Sequence, residues 1–441
     1  MTSHYSKIRF IGYPIPTSPE GLNLLDNTGI IAGTYRAHED IIADITQRVK
    51  LLQDTVGIAK QALPAGEDPQ SVLNVFVAPE FFFHGALGPY VFPGGVPDPG
   101  AIILEQLKVA FPGPDYANWM FVAGTAITAQ VDNIQNVFAA PSTAARNEIV
   151  KVLANQGQKT YGRMGAVVLD LLNTFIQACQ ASPLVVVRDR ALIVSNILLH
   201  SPRGPLDSNA MTSDKYFVSL LDLVLTPSDP NANVVTQQMA AYTAIDLSNG
   251  DLKALAFDEY AIFRQNYVAD NQPPYLDFGV EICLDHSDVR LRGSIDREPF
   301  PKPTDSIRVH LIPSCGMSIA RQSVAAGAGG FVFNCDGKET LDDTSGPQGA
   351  TLSEVPCIYA NYVDPNNSNY AGHTQLAQVK RAAVGGSPHA DGSSNATFYK
   401  LDPAALTIVP LPETADHGIV FAGGAGALHI YGPFDITQQS G

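Results

Sequence analysis

Residues 72–83 read Val-Leu-Asn-Val-Phe-Val-Ala-Pro-Glu-Phe-Phe-Phe, an almost unbroken apolar run with a carboxylate near its end. A run of this length without polar alternation fits a strand covered on both faces, and such strands belong to layered α/β architectures. Its surroundings agree. Residues 7–15 form a shorter apolar run, and residues 37–63 carry Ile41, Ile42, Ile45, Val49, Leu52 and Val56 at helical spacing. Residues 100–111 read as a second helix and 119–128 as another buried strand. Strand, helix, strand, helix, strand predicts an α/β core.

The pattern then changes. Residues 144–155 and 166–179 have helical periodicity, which predicts a helical insertion at about 130–190. Strands are expected again at 191–200, 216–225, 275–285 and 307–313. Residues 227–237, 336–350 and 364–376 are rich in Pro, Gly, Asn, Asp and Ser and read as long loops. The region from about 315 to 441 is expected to be loop-rich, with short strands at 357–363, 396–401 and 418–422. No repeat or compositional linker divides the chain, so residues 1–441 are read as one domain with insertions.

Composition narrows the partners. A net charge of −16, with no basic run to offset it, repels phosphate backbones and argues against nucleic acid. No stretch reaches the roughly 18 uninterrupted apolar residues that span a bilayer, so no membrane partner is expected. The first residues lack a basic-then-apolar secretory pattern. Five scattered cysteines, 179, 283, 315, 335 and 357, form neither a disulfide framework nor a CxxC metal knuckle. A cytoplasmic protein is the expectation.

Three polar residues interrupt apolar strand ends. Glu80 sits in the hydrophobic wall described above, where a carboxylate is a stronger proton acceptor than in water. Cys283 ends the run Phe278-Gly279-Val280-Glu281-Ile282-Cys283 just before Leu284-Asp285-His286. It therefore lies where a strand meets a loop, the end of an α/β sheet at which ligands bind. Lys215, in Ser213-Asp214-Lys215-Tyr216, stands at the start of an expected strand.

The order Glu, Lys, Cys, each beside a strand, resembles the nitrilase (carbon–nitrogen hydrolase) superfamily. Ala78-Pro79-Glu80 and Ile282-Cys283-Leu284-Asp285 carry the resemblance, with support from Asn196, Gly204 and Asp214-Lys215-Tyr216. Phe121-Val122-Ala123-Gly124-Thr125, Val309-His310-Leu311-Ile312-Pro313-Ser314 and Gly385-Gly386-Ser387 agree with it. The resemblance implies a four-layer α-β-β-α sandwich and a homodimer or larger homo-oligomer. It implies hydrolysis of a non-peptide carbon–nitrogen bond in a small amide, nitrile or carbamoyl substrate, amide foremost, through a thioester on Cys283. Glu80 and Lys215 would complete the catalytic set, with no metal and no organic cofactor. The family often adds a supporting glutamate, for which Glu259 is the match in the interval between lysine and cysteine.

The chain also departs from the pattern of the family it resembles. Where the family carries an arginine or aromatic pattern after the cysteine, this chain has His286-Ser287-Asp288, and Glu281 precedes the cysteine by two residues. Strand alternation predicts Glu281 and Cys283 on one face, which makes Glu281 a candidate pocket carboxylate, and His286 is a further candidate. Phe82 and His84, next to Glu80, are expected to shape the pocket. Lys253 is a rival for the lysine role. Three other readings stand beside this one: a metal hydrolase built on His84, His200, His286 and His310, a Cys–His amidohydrolase, and a binding protein without catalysis. The four histidines form no HxxxH or HxH pair.

Overall fold

The computed structural model describes residues 5–23, 32–68, 71–86, 88–93, 95–111, 113–131, 185–201, 204–215, 245–246, 251–252, 261–266, 275–287, 289–293, 307–338, 355–384 and 392–436. The chain opens with β1 (Lys7–Gly12), a hairpin of β2 (Glu20–Asn23) and β3 (Ala32–Thr34), helix α1 (Ile41–Ala62), β4 (Val72–Ala78) and β5 (Tyr90–Pro93). Helix α2 (Pro99–Ala110), β6 (Trp119–Val131), β7 (Val185–Ser201) and β8 (Gly204–Asp214) follow. Next come the short β9 (Ile245–Asp246) and β10 (Asp251–Leu252), then β11 (Ile262–Asn266), β12 (Tyr275–Val280), two single-turn helices α3 (Leu284–Ser287) and α4 (Arg290–Gly293), and β13 (Ile307–Ser314). The chain continues through β14 (Ala326–Asp336), β15 (Ile358–Val363), β16 (Ala371–Arg381), β17 (Thr397–Tyr399), β18 (Leu406–Pro410), α5 (Ala415–Val420) and β19 (Ala427–Asp435).

Fifteen strands join one mixed sheet, whose main path runs β15-β16-β14-β13-β12-β11-β7-β6-β4-β1-β19-β18. The expected buried strands lie inside the sheet, away from its edges: β4 is parallel to both β1 and β6, and β13 is parallel to both β12 and β14. The sheet curls until its inner face meets itself. Phe10 of β1 lies 5.5 Å and 5.2 Å, ring to ring, from Phe331 and Phe333 of β14. That inner core takes Leu73, Val75 and Val77 from β4, while Phe76 and Ala78 face the opposite side, under α1 and α2. This alternation explains the continuous apolar run: both faces of β4 are covered.

Both helices begin as their sequence dictates. Asp40 caps α1 by accepting from Ala43 N–H at 2.7 Å, and Asp98 caps α2 with Pro99 in the first turn. Among the described residues no helix is long and apolar enough to cross a membrane.

Several expectations need correction. The region after 315 is strand-rich, and residues 371–376, read as loop, belong to β16. Two of its buried polar side chains are paired: Gln375 accepts from Ile319 N–H, and the Thr374 hydroxyl meets His429 Nδ1 and the Tyr431 hydroxyl. Such polar cross-links hide the apolar alternation of a buried strand. Residues 418–420, read as strand, lie in α5. The expected strand at 216–225 and helices at 144–155 and 166–179 lie outside the described residues.

Candidate active site at the Cys283 turn

Glu80 lies two residues beyond the end of β4. Pro79 has no N–H to give the ladder, so the strand stops there, and the chain turns with Phe81 at φ 59°. Four contacts fix this turn. Glu80 N–H donates to Ser314 O, Thr17 Oγ1 donates to Glu80 O, and Phe81 N–H donates to Thr125 Oγ1 at 2.9 Å. The fourth is Gly124, at φ 77°, where a Cβ would stand 2.6 Å from Pro79 O and from Phe82 Cβ. Only glycine lets β6 pass this close.

From behind, α1 supplies a buried ion pair that the sequence reading did not anticipate. Arg48 Nε donates to Asp44 Oδ2 at 2.7 Å, and its other nitrogens reach Phe82 O, Arg36 O and Val420 O. The signal existed: two charges four residues apart on the apolar stripe of a helix must pair to be buried. His84 donates from Nδ1 to Phe81 O at 2.8 Å and faces Arg48 through Nε2. Burial, with Arg48 beside it, holds this imidazole well below the usual histidine range. Phe82 packs against Tyr13, Phe83 and Phe421 in the core under the helices. Both residues back the Glu80 turn.

Lys215 directly follows the end of β8, and the strand expected to begin beside it, 216–225, lies outside the described residues. The Lys215 N–H donates to Asp189 O, and its Nζ donates to Glu80 Oε1 at 2.7 Å, with both side chains buried. The same ammonium lies 5.6 Å from the centre of the Phe81 ring.

Cys283 arrives from the other arm of the sheet. Its N–H donates to Pro313 O, one residue before the carbonyl that receives Glu80, and its Sγ lies 4.0 Å from Cys315 O. The loop carrying Cys315 is held by buried Asp336, which accepts from Ser314 Oγ, Gly316 N–H and Met317 N–H. Burial pushes the Cys283 thiol well above its ordinary range, the charge of Glu80 adds to this, and Lys215 opposes it. Residues 135 positions apart in sequence, Glu80 and Lys215, thus form one buried pair whose charges both act on the Cys283 thiol.

The expected shared face of Glu281 and Cys283 is corrected. Phe278, Val280 and Ile282 alternate into the inner core, but Cys283 joins them there because its φ is 46°. The left-handed turn reverses the alternation, and Glu281 stays on the other face.

On that face Glu281, His286 and His310 converge, all fully buried. Glu281 Oε2 accepts from His286 Nδ1 at 2.6 Å and lies 2.8 Å from His310 Nε2, while Oε1 accepts from Leu291 N–H at 2.6 Å. The set has the residue types of a metal site, but its outer contacts do not fit one. His286 Nε2 accepts from Ala320 N–H and His310 Nδ1 from Ala325 N–H. Each ring therefore carries its proton on the nitrogen facing Glu281, where a metal ligand needs a lone pair. Burial alone would raise the Glu281 carboxyl, but His310 and His286 outweigh it and hold it down at about 2.

Arg290 links the strand ends that carry Lys215 and Cys283. Its Nη1 donates to Asp285 Oδ2 at 2.7 Å and to Asp214 O at 2.6 Å, one residue before Lys215. The sequence reading missed it, since no local pattern joins residues 214, 285 and 290. His200 lies at the end of β7, and Glu259 and Lys253 lie outside the described residues. Compared with known protein families, with curated proteins and with solved structures, the chain has no match.

Proposed function

We propose that this protein is a hydrolase that cleaves a non-peptide carbon–nitrogen bond through Cys283, with Glu80 as proton carrier and Lys215 as charge stabiliser. The observation that carries the reading is the buried Lys215–Glu80 pair, 2.7 Å apart, whose two charges both act on the Cys283 thiol. A thiol held above its ordinary range is protonated at neutral pH and attacks only once a base takes its proton. Glu80 is that base. The thiolate then adds to the carbonyl or nitrile carbon, and the oxygen or nitrogen that gains charge is met by the Lys215 ammonium and by the N–H following Cys283. Leu284 opens a helical turn, so this N–H has no acceptor within the turn.

Glu80 next passes its proton to the leaving amine. Water, deprotonated by Glu80, hydrolyses the thioester and regenerates the thiol. An amide is the favoured substrate on family resemblance, ahead of nitrile and carbamoyl compounds. The same reading takes the curled sheet as the inner layers of a four-layer α-β-β-α sandwich, with α1 and α2 in one outer layer, and expects a homodimer or larger assembly.

A Cys–His mechanism is disfavoured because the ring of His286 is committed to Glu281 and Ala320. The test is an ammonia-release screen over amides, nitriles and carbamoyl compounds, with trapping of the covalent intermediate. Cys283→Ala is expected to abolish turnover, and the wild-type adduct to map to Cys283. An adduct found only on Cys315, Cys335 or Cys357 would sink the assignment.

A further inference from the structure

We infer that Glu281, His286 and His310 form a clamp that holds Cys283 in its left-handed conformation and thereby aims its thiol at Glu80. The inference rests on the reading of Cys283 as nucleophile. A non-glycine residue at φ 46° is unstable unless its surroundings over-determine it. Here the chain on either side of Cys283 is tied to one carboxylate. Glu281 precedes it by two residues and His286 follows it by three, and their side chains meet at 2.6 Å. The second Glu281 oxygen takes Leu291 N–H, which ties residue 291 back to the same carboxylate. His310 anchors the carboxylate to β13, the strand whose end also receives the N–H groups of Glu80 and Cys283.

The clamp decides a face. In extended backbone, the side chain of residue 283 would fall with Gly279 and Glu281, away from the inner core that holds Phe278, Val280 and Ile282. Only the left-handed turn brings the thiol round to the charges that act on it, Glu80 and Lys215, with Asp336 behind the neighbouring loop. Glu281, His286 and His310 touch no reacting atom in this scheme. They are positioning residues.

The pH profile of Cys283 alkylation tests this. The full-length protein is treated with iodoacetamide from pH 6 to 10, and the rate at Cys283 is read by peptide mass spectrometry. With Glu80 in reach, the wild-type rate is expected to rise little with pH. Glu281→Gln keeps the side-chain volume but presents an NH2 group to one of the donors it must accept. Its Cys283 rate should rise roughly 25-fold between pH 7 and 9, as for a thiol of ordinary pKa near 8.5 with no base beside it. His310→Gln should move the same way by a smaller factor. Leu107→Ala, a cavity in the core under the helices, should lower the melting temperature and leave the profile unchanged.

A folded Glu281→Gln protein with the wild-type profile overturns the clamp. So does failure of both clamp variants to fold, which would assign the cluster to stability alone. The reading of Glu80 as base fails separately, if Glu80→Gln and wild type share one profile.

Discussion

Glu80 and Glu281 are both fully buried carboxylates, each just beyond the end of a strand, yet their surroundings differ. Glu80 faces an ammonium, Lys215 Nζ, beside a thiol. Glu281 faces two imidazole nitrogens and a backbone N–H, with both oxygens engaged. A carboxylate surrounded by donors is held ionised and serves geometry, because protonating it would break every contact. A carboxylate balanced by one lysine next to a protonated thiol can exchange a proton without dismantling its support. In the proposed mechanism the same residue type serves as scaffold on one face of the Cys283 turn and as chemistry on the other.

The sharpest way to break this comparison is at the lysine. Lys215→Ala should lower turnover about 100- to 1,000-fold, the usual cost of losing one stabiliser of developing charge. It also leaves Glu80 without its buried ammonium, so unfolding free energy should drop by about 3–5 kcal/mol. Ammonia release and denaturant titration read the two effects. Full activity in the alanine variant would remove Lys215 from the mechanism.

Arg290 comes next. Replacing it with Lys removes the planar Nη1 donor that joins Asp285 to the Asp214 carbonyl. A misplacement of about 1 Å can cost roughly 100-fold, so turnover should fall by up to that factor. The loss should appear in kcat, since the residue does not touch substrate in this scheme.

The scaffold side is sharpened by pH. Glu281 titrates at about 2 in the fold against 4.5 unfolded, so its contribution is complete above pH 4.5 and is lost as pH falls toward 2. His84, His286 and His417 lie below their ordinary 6.5 because burial disfavours the charged ring, and burial with His373 nearby lowers His429 to about 4. Below pH 6.5 the unfolded chain takes up protons that these rings refuse, and stability declines. Burial raises Cys283, Cys315 and Cys335 well above the ordinary thiol range, so the unfolded chain loses protons first at high pH. Melting temperature should therefore peak between about pH 6.5 and 9 and fall on both sides. A protein equally stable at pH 4 and pH 7 would contradict this.

The smallest effect is expected at Phe82. Phe82→Leu should cost about 1–3 kcal/mol through lost ring packing and leave the pH profile of Cys283 alkylation unchanged, because the ring backs the Glu80 turn from the helix side. Thermal unfolding and the alkylation profile check the two halves of that statement.

Much of the frame was legible in residue order. The apolar run at 72–78 specified β4, helical spacing specified α1 and α2, and Pro79-Glu80 and Cys283 could be placed at strand ends because a buried strand must be apolar and must stop where its ladder loses an N–H. Burial of Glu80 and Cys283 followed from the same local pattern. The C-terminal strands were less legible, since β14 opens on Ala326-Gly327-Ala328-Gly329-Gly330 and β16 buries His373, Thr374 and Gln375. Only the tertiary structure decided which charges share a side. Lys215 reaches Glu80 across 135 residues, His310 joins Glu281 from a neighbouring strand, and one left-handed residue turns the Cys283 thiol to the inner face. Local sequence sets how apolar an element must be and where it ends. The handedness of a single turn and the meeting of distant strand ends depend on contacts that form only when the sheet closes.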